Sequence, residues 1–132
     1  MPHSLKPGSG TPLARIAVFA VFAAMSPPAE AACFRQGSFR LTSEGPWPFH
    51  MTVNSGERCQ RFFRLFGNIT LKRLYAIAEP ANGRLDLIEG GRYAYTSKPG
   101  FRGKDSFTLR VCGISGATRE ACASLQHEVS VK

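Results

Sequence analysis

Ser106-Phe107-Thr108-Leu109-Arg110-Val111-Cys112 and Cys122-Ala123-Ser124-Leu125-Gln126-His127-Glu128-Val129-Ser130-Val131 are the two stretches whose reading decides the fold. In the first, Phe107, Leu109 and Val111 are apolar while Ser106, Thr108 and Arg110 are polar. In the second, Ala123, Leu125, Val129 and Val131 alternate with Ser124, Gln126, Glu128 and Ser130. Successive side chains of a strand point to opposite faces, so each stretch reads as a strand with one buried row. His127 falls on the inward parity and reads as a core or edge histidine. Cys112 and Cys122 share the outer parity. If residues 113–121 close a hairpin, the two thiols lie opposite each other at a distance a disulfide can span. Four cysteines allow three pairings. The parity argument favours Cys112–Cys122 and leaves Cys33–Cys59 to tie the N-terminal segment to an early strand. Each bridge typically contributes a few kcal/mol by restricting the unfolded chain, the one closing the longer loop more.

Upstream of this hairpin the same punctuation continues. Short alternating segments at residues 38–41, 49–53, 60–66, 72–78, 83–88 and 92–96 read as strands. They are separated by turn-forming Gly45-Pro46, Asn54-Ser55-Gly56, Gly67-Asn68, Pro80-Ala81-Asn82-Gly83, Gly90-Gly91 and Pro99-Gly100. No segment shows helical periodicity, and no repeat or low-complexity tract is present. The pattern predicts an all-β sandwich or barrel.

Residues 1–32 read as a secretion signal, and residues 33–132 as one domain. Lys6 and Arg15 precede the apolar run 16–25, which is followed by Ser26-Pro27-Pro28 and Ala29-Glu30-Ala31-Ala32. The run is well short of the ~20 residues that span a bilayer, and no later segment is long and apolar enough to cross one. Cleavage is expected after Ala31 or Ala32. A lipoprotein signal would put Cys33 first, but it wants an apolar residue where Glu30 stands. All four cysteines lie beyond the cut, and an even number in an exported chain argues for two disulfides. A domain of roughly 100 residues has a small core, so such staples are useful to it. The expected location is periplasmic or extracellular.

The whole chain carries 17 Lys and Arg against 9 Asp and Glu, a net charge of +8. Loss of Lys6, Arg15 and Glu30 leaves fifteen cations, eight acids and a charge of +7. The cations are scattered, with no block of five or six. That arrangement, with export, argues against a nucleic-acid partner and leaves an acidic protein or an anionic envelope component, attracted at long range.

Between positions 80 and 111 the chain resembles the bacterial immunoglobulin-like or cadherin-like domains of exported proteins. The resemblance rests on Pro80-Ala81-Asn82-Gly83, on Tyr93-Ala94-Tyr95, and on Gly100-Phe101-Arg102-Gly103-Lys104-Asp105-Ser106-Phe107. It implies an immunoglobulin-like β-sandwich of about seven strands that serves as a structural or adhesive unit. The residues also make physical sense by themselves. Gly100 and Gly103 allow backbone angles that a side chain would resist. Phe101 can fold back as a plug for the end of the sandwich, and Asp105 can accept hydrogen bonds from turn amides. Cys112-Gly113-Ile114 stands where many members carry an acidic residue that helps to hold calcium. With acids sparse, no metal and no cofactor are expected. One such unit in the sequence suggests that it binds something or assembles, rather than serving as a spacer in a stalk.

Catalytic signals are lacking. No serine sits in a nucleophile elbow, no glycine-rich phosphate loop precedes a helix, and no Cys/His spacing suggests zinc. Asp86, Glu89, Asp105 and Glu128 are too dispersed for a glycosidase pair. Asn68-Ile69-Thr70 matches a glycosylation acceptor by chance in a bacterial context. His50 and His127 would suggest an enzyme only if the fold set one beside a carboxylate in a cleft.

Binding character lies in Gln60-Arg61-Phe62-Phe63-Arg64-Leu65-Phe66. A strand there puts Phe63 and Leu65 on one face and Phe62, Arg64 and Phe66 on the other. Two-sided burial would explain this. Alternatively Arg61, Phe62, Arg64 and Phe66 form a patch, with Trp47 joining it, of residue types over-represented at interface hot spots. The expected function is therefore a non-enzymatic secreted module acting through protein or envelope contacts. The alternative is a secreted inhibitor or toxin-like effector that inserts the disulfide-bounded loop 113–121, with Arg119 near its end, into a partner's active site.

Overall fold

A computed structural model of the chain describes residues 32–65, 67–116 and 119–132. The expected leader, apart from Ala32, and Phe66 of the candidate patch lie outside the described residues. Eight strands follow in order: β1 (Cys33–Gln36), β2 (Trp47–Val53), β3 (Cys59–Phe62), β4 (Ile69–Ala78), β5 (Gly83–Ile88), β6 (Arg92–Ser97), β7 (Gly103–Ser115) and β8 (Glu120–Val131). They form a five-stranded sheet in the order β1-β2-β8-β7-β4 and a three-stranded sheet in the order β3-β6-β5. Among the described residues no helix is long and apolar enough to cross a membrane. Every pairing is antiparallel except β2 with β8, which run parallel from Trp47↔Leu125 to Val53↔Val131.

The parity argument holds along the final hairpin. Phe107, Leu109 and Val111 of β7 and Ala123, Leu125, His127, Val129 and Val131 of β8 are all buried. Phe49, Met51 and Val53 extend that inner face through β2, and Tyr93 and Tyr95 of β6 meet it from the opposite sheet. Burying each large side chain of this kind is worth ~1.5–3 kcal/mol. Cys112 and Cys122 are register partners with Cα atoms 4.1 Å apart, and they are bonded, as are Cys33 and Cys59. The hairpin is tighter than the loop 113–121 expected: β7 runs on to Ser115 and β8 begins at Glu120, which pairs with Ile114.

Two other expectations are corrected. Residues 38–41 form no strand, although Leu41 is buried; the first strand is β1, four residues long, laid antiparallel on β2 as an eighth strand at the sheet edge. The strand expected over 60–66 ends at Phe62. Its partner β6 begins at Arg92, opposite Phe62, and beyond that lies the Gly90-Gly91 turn, so the ladder has nothing to continue on. Phe63 makes one more bond, from its N–H to the Gly91 carbonyl (3.1 Å), before the chain leaves for the other sheet. Parity persists across this exit: Phe63 is buried and Phe62 is half exposed.

Candidate functional site

Cys33 belongs to β1 of the larger sheet and Cys59 to β3 of the smaller. Their disulfide, with Cα atoms 5.2 Å apart, holds the two sheets together at one edge. Two residues beyond each cysteine stand Arg35 and Arg61, and the bridge brings them to one cleft. Arg35 donates from Nη1 to the Tyr93 hydroxyl (3.0 Å) and from Nη2 to the Phe62 carbonyl (3.1 Å). Its guanidinium lies over the rings of Phe63 (5.0 Å), Phe49 (5.4 Å) and Tyr93 (5.8 Å). Arginine tolerates such a setting because its delocalised, weakly hydrated charge stacks on aromatic faces. Arg61 donates to the Cys33 carbonyl at 3.4 Å, and the Arg64 guanidinium lies 5.6 Å from the centre of the Phe62 ring.

The interior continues the Arg35 contact. The Tyr93 hydroxyl is 2.7 Å from His127 Nε2, and His127 Nδ1 is 3.1 Å from the Leu125 carbonyl. A carbonyl only accepts, so Nδ1 carries the proton and Nε2 accepts from Tyr93. The order of donation is Arg35 to Tyr93 to His127 to Leu125. The imidazole is sandwiched between Phe107 (4.4 Å) and Phe49 (4.9 Å), each within 15° of parallel. Burial holds its pKa down to about 3; the Leu125 hydrogen bond opposes that and the Arg35 charge reinforces it. Burial likewise raises the Tyr93 pKa, against the lowering effects of Arg35 and Arg61. His127 is thus a neutral core residue with both nitrogens engaged.

Two adjoining clefts open beside this network. One, of about 450 Å³, is lined by Arg35, Arg61, Phe62 and Arg64 over Phe39 and Phe63. The other, of about 660 Å³, is bordered by Arg40 and Arg64 and floored by Phe39, Leu41, Trp47 and Leu65. Ser38, Phe39 and Arg64 line both. The structure therefore unites Arg61, Phe62 and Arg64, with Trp47 in the neighbouring cleft. Arg119 is exposed in the β7–β8 turn and lines neither. Arg35, Phe39 and Arg40 were missed. The available signal was the alternation Cys33-Phe34-Arg35-Gln36, but an arginine on the inward parity disguises it.

Ion pairing in the described residues lies elsewhere. Arg73 meets Glu120 (2.9 Å), Arg84 meets Asp86 (3.3 Å) and Arg110 meets Glu44 (3.4 Å), while Arg35, Arg40, Arg61 and Arg64 meet no carboxylate among them. His50 does stand beside a carboxylate, Glu128, at 3.4 Å, but both side chains are about two-thirds exposed (63% and 66%) on the outer face of the sheet. Cys112, Cys122 and Glu120 come close enough to suggest metal ligands, yet the two sulfurs are bonded to each other and offer no thiolate.

Two facing antiparallel layers, with an N-terminal strand running parallel to the last one, define an immunoglobulin-like sandwich. Residues 66–126, somewhat under half of the chain, match the family model described as Bacterial Ig domain, which supports a bacterial immunoglobulin-like domain there. No curated protein matches the chain. The matched segment begins after Arg64, so the arginines of the two clefts lie outside it. Domains of this class are generally non-catalytic structural or binding units.

Proposed function

We propose that the chain is an exported, non-enzymatic immunoglobulin-like module that holds an anionic protein or envelope component on the face built from Arg35, Arg61, Phe62 and Arg64. The observation that carries this reading is the gathering of four guanidinium groups, Arg40 included, around two clefts with no carboxylate beside them among the described residues. Packed arginine and half-exposed aromatic surface is the composition of interface hot spots. Export is supported by the order of residues 1–32 and by two disulfides, which persist in oxidising compartments.

The test is capture of the oxidised 33–132 chain on envelope extract at low and moderate salt. Binding should weaken with salt, because exposed charges are screened over ~10 Å at 0.1 M. The double variant Arg61→Gln/Arg64→Gln should lose capture, whereas Arg102→Gln/Lys132→Gln, with the same loss of charge elsewhere, should keep it. Equal losses in the two variants would reduce the interaction to bulk charge and sink the proposed face.

A further inference from the structure

We infer that the larger cleft is a binding site for the hydrocarbon chain of a free fatty-acid-type carboxylate, with the head group at Arg64. The inference rests on the reading of this face as anion-binding for the role of Arg64, and on the cleft itself for the tail. At about 660 Å³ the cleft falls within the ~300–1,000 Å³ usual for small-molecule sites. Its floor combines the rings of Phe39 and Trp47 with the aliphatic Leu41, Leu65 and Ile69. The Trp47 indole N–H is already taken by the Ser43 carbonyl at 2.9 Å, so the indole has no donor left for a polar ligand.

Charge enters only at the border. Arg40 and Arg64 are both exposed and meet no carboxylate among the described residues. Arg64 also lines the second cleft, where Arg35 and Arg61 add to the positive potential. A ligand that satisfies both parts has an apolar tail and a negative head. A carboxylate suits the Arg64 guanidinium, which lies on the Phe62 ring but makes no side-chain hydrogen bond among the described residues and so can offer two parallel N–H donors. A neutral hydrocarbon would leave the border charges unused, and a small anion would leave the apolar floor wet.

The protein reports on this site by itself, since Trp47 is the chain's single tryptophan and lines the cleft. The oxidised chain is titrated with octanoate, decanoate and dodecanoate below their micelle concentrations, following Trp47 emission and the thermal midpoint. Saturable emission changes and a raised midpoint are expected, with affinity rising about fourfold per buried methylene. Arg64→Gln should weaken dodecanoate about twofold to fivefold, the size of an exposed ion pair, and leave dodecanol unchanged. Leu65→Glu should abolish binding; circular dichroism checks its fold, and Arg64→Gln serves where it does not fold. A flat emission signal with an unmoved midpoint, or affinity independent of chain length, overturns the site. Dodecanol binding as tightly as dodecanoate overturns the role of Arg64. Salt-sensitive capture of the chain surviving a flat fatty-acid titration would sink this inference alone and leave the proposed function standing.

Discussion

The Tyr95 hydroxyl donates to Asp105 Oδ2 at 2.7 Å, joining the β6 strand to the start of the β7 strand across the interior of the sandwich. Asp105 also accepts from the amides of Ala81 and Asn82, both at 3.1 Å, and of Ser106 at 2.9 Å. Three stretches that resemble the family, the Pro80–Gly83 turn, the tyrosine strand and the segment ahead of Phe107, thus converge on one carboxylate. Burial, followed by the Asp105 hydrogen bond and charge, raises the Tyr95 pKa and keeps the phenol protonated.

Removing that carboxylate strands three amides and a hydroxyl. Asp105→Ala should therefore cost about 2–4 kcal/mol, and Tyr95→Phe about 1–2 kcal/mol, since the latter leaves the amide bonds intact. Urea unfolding of the oxidised chain measures both. Equal losses would mean that the amide contacts contribute little.

The neutral His127 makes stability depend on pH. Its folded pKa of about 3 lies below the ordinary 6.5, so the unfolded chain takes up the proton first as pH falls. The contribution is intact above 6.5 and is lost progressively between 6.5 and about 3, with a limiting slope near 1.4 kcal/mol per pH unit. His127→Gln should be less stable at pH 8 yet show a shallower decline between pH 6.5 and 4. Parallel curves for the two proteins would rule out this histidine as the cause.

Two motif glycines should respond differently to alanine. A Cβ on Gly83 would lie 2.7 Å from both the Thr96 carbonyl oxygen and the Tyr95 ring, so the β5–β6 pairing or the tyrosine must shift, at a cost of about 1–3 kcal/mol. Gly100 has open space around it but φ of +81°, so alanine there meets only backbone strain, about 1 kcal/mol. Thermal melts of the two variants test the order.

The disulfides differ in the chain they close. Sequence separations of 26 for Cys33–Cys59 and 10 for Cys112–Cys122 correspond to ~3.5 and ~2.7 kcal/mol of loop entropy. Paired serine replacements should follow that order in urea. Their reversal would show that the buried in-sheet bridge contributes through packing.

The β7–β8 register was legible because each strand has one inward row, apolar but for His127, and a slip of β8 by one residue would turn Leu125, His127 and Val129 outward together. Asp105 was legible as an acceptor, although two of its amide donors, Ala81 and Asn82, lie more than twenty residues upstream. The clefts were not. Arg35, Trp47 and Arg64 are far apart in sequence, and what gathers them is a short edge strand, an irregular connection and an inter-sheet bond rather than any local period. Arg35 also breaks the inside-outside rule, because the rings of Phe49, Phe63 and Tyr93 provide a surface on which its charge can lie.

The Cys33–Cys59 bond has one more effect. It closes on the four-residue strand that positions Arg35, while the inner rows of β2, β7 and β8 pack without it. A reduced chain should keep its layers and let the edge carrying Arg35 peel away. On the proposed function, sulfur oxidation would then complete the anion-binding face as well as reinforce the scaffold, and a chain lacking this one bridge would keep its layers but lose capture.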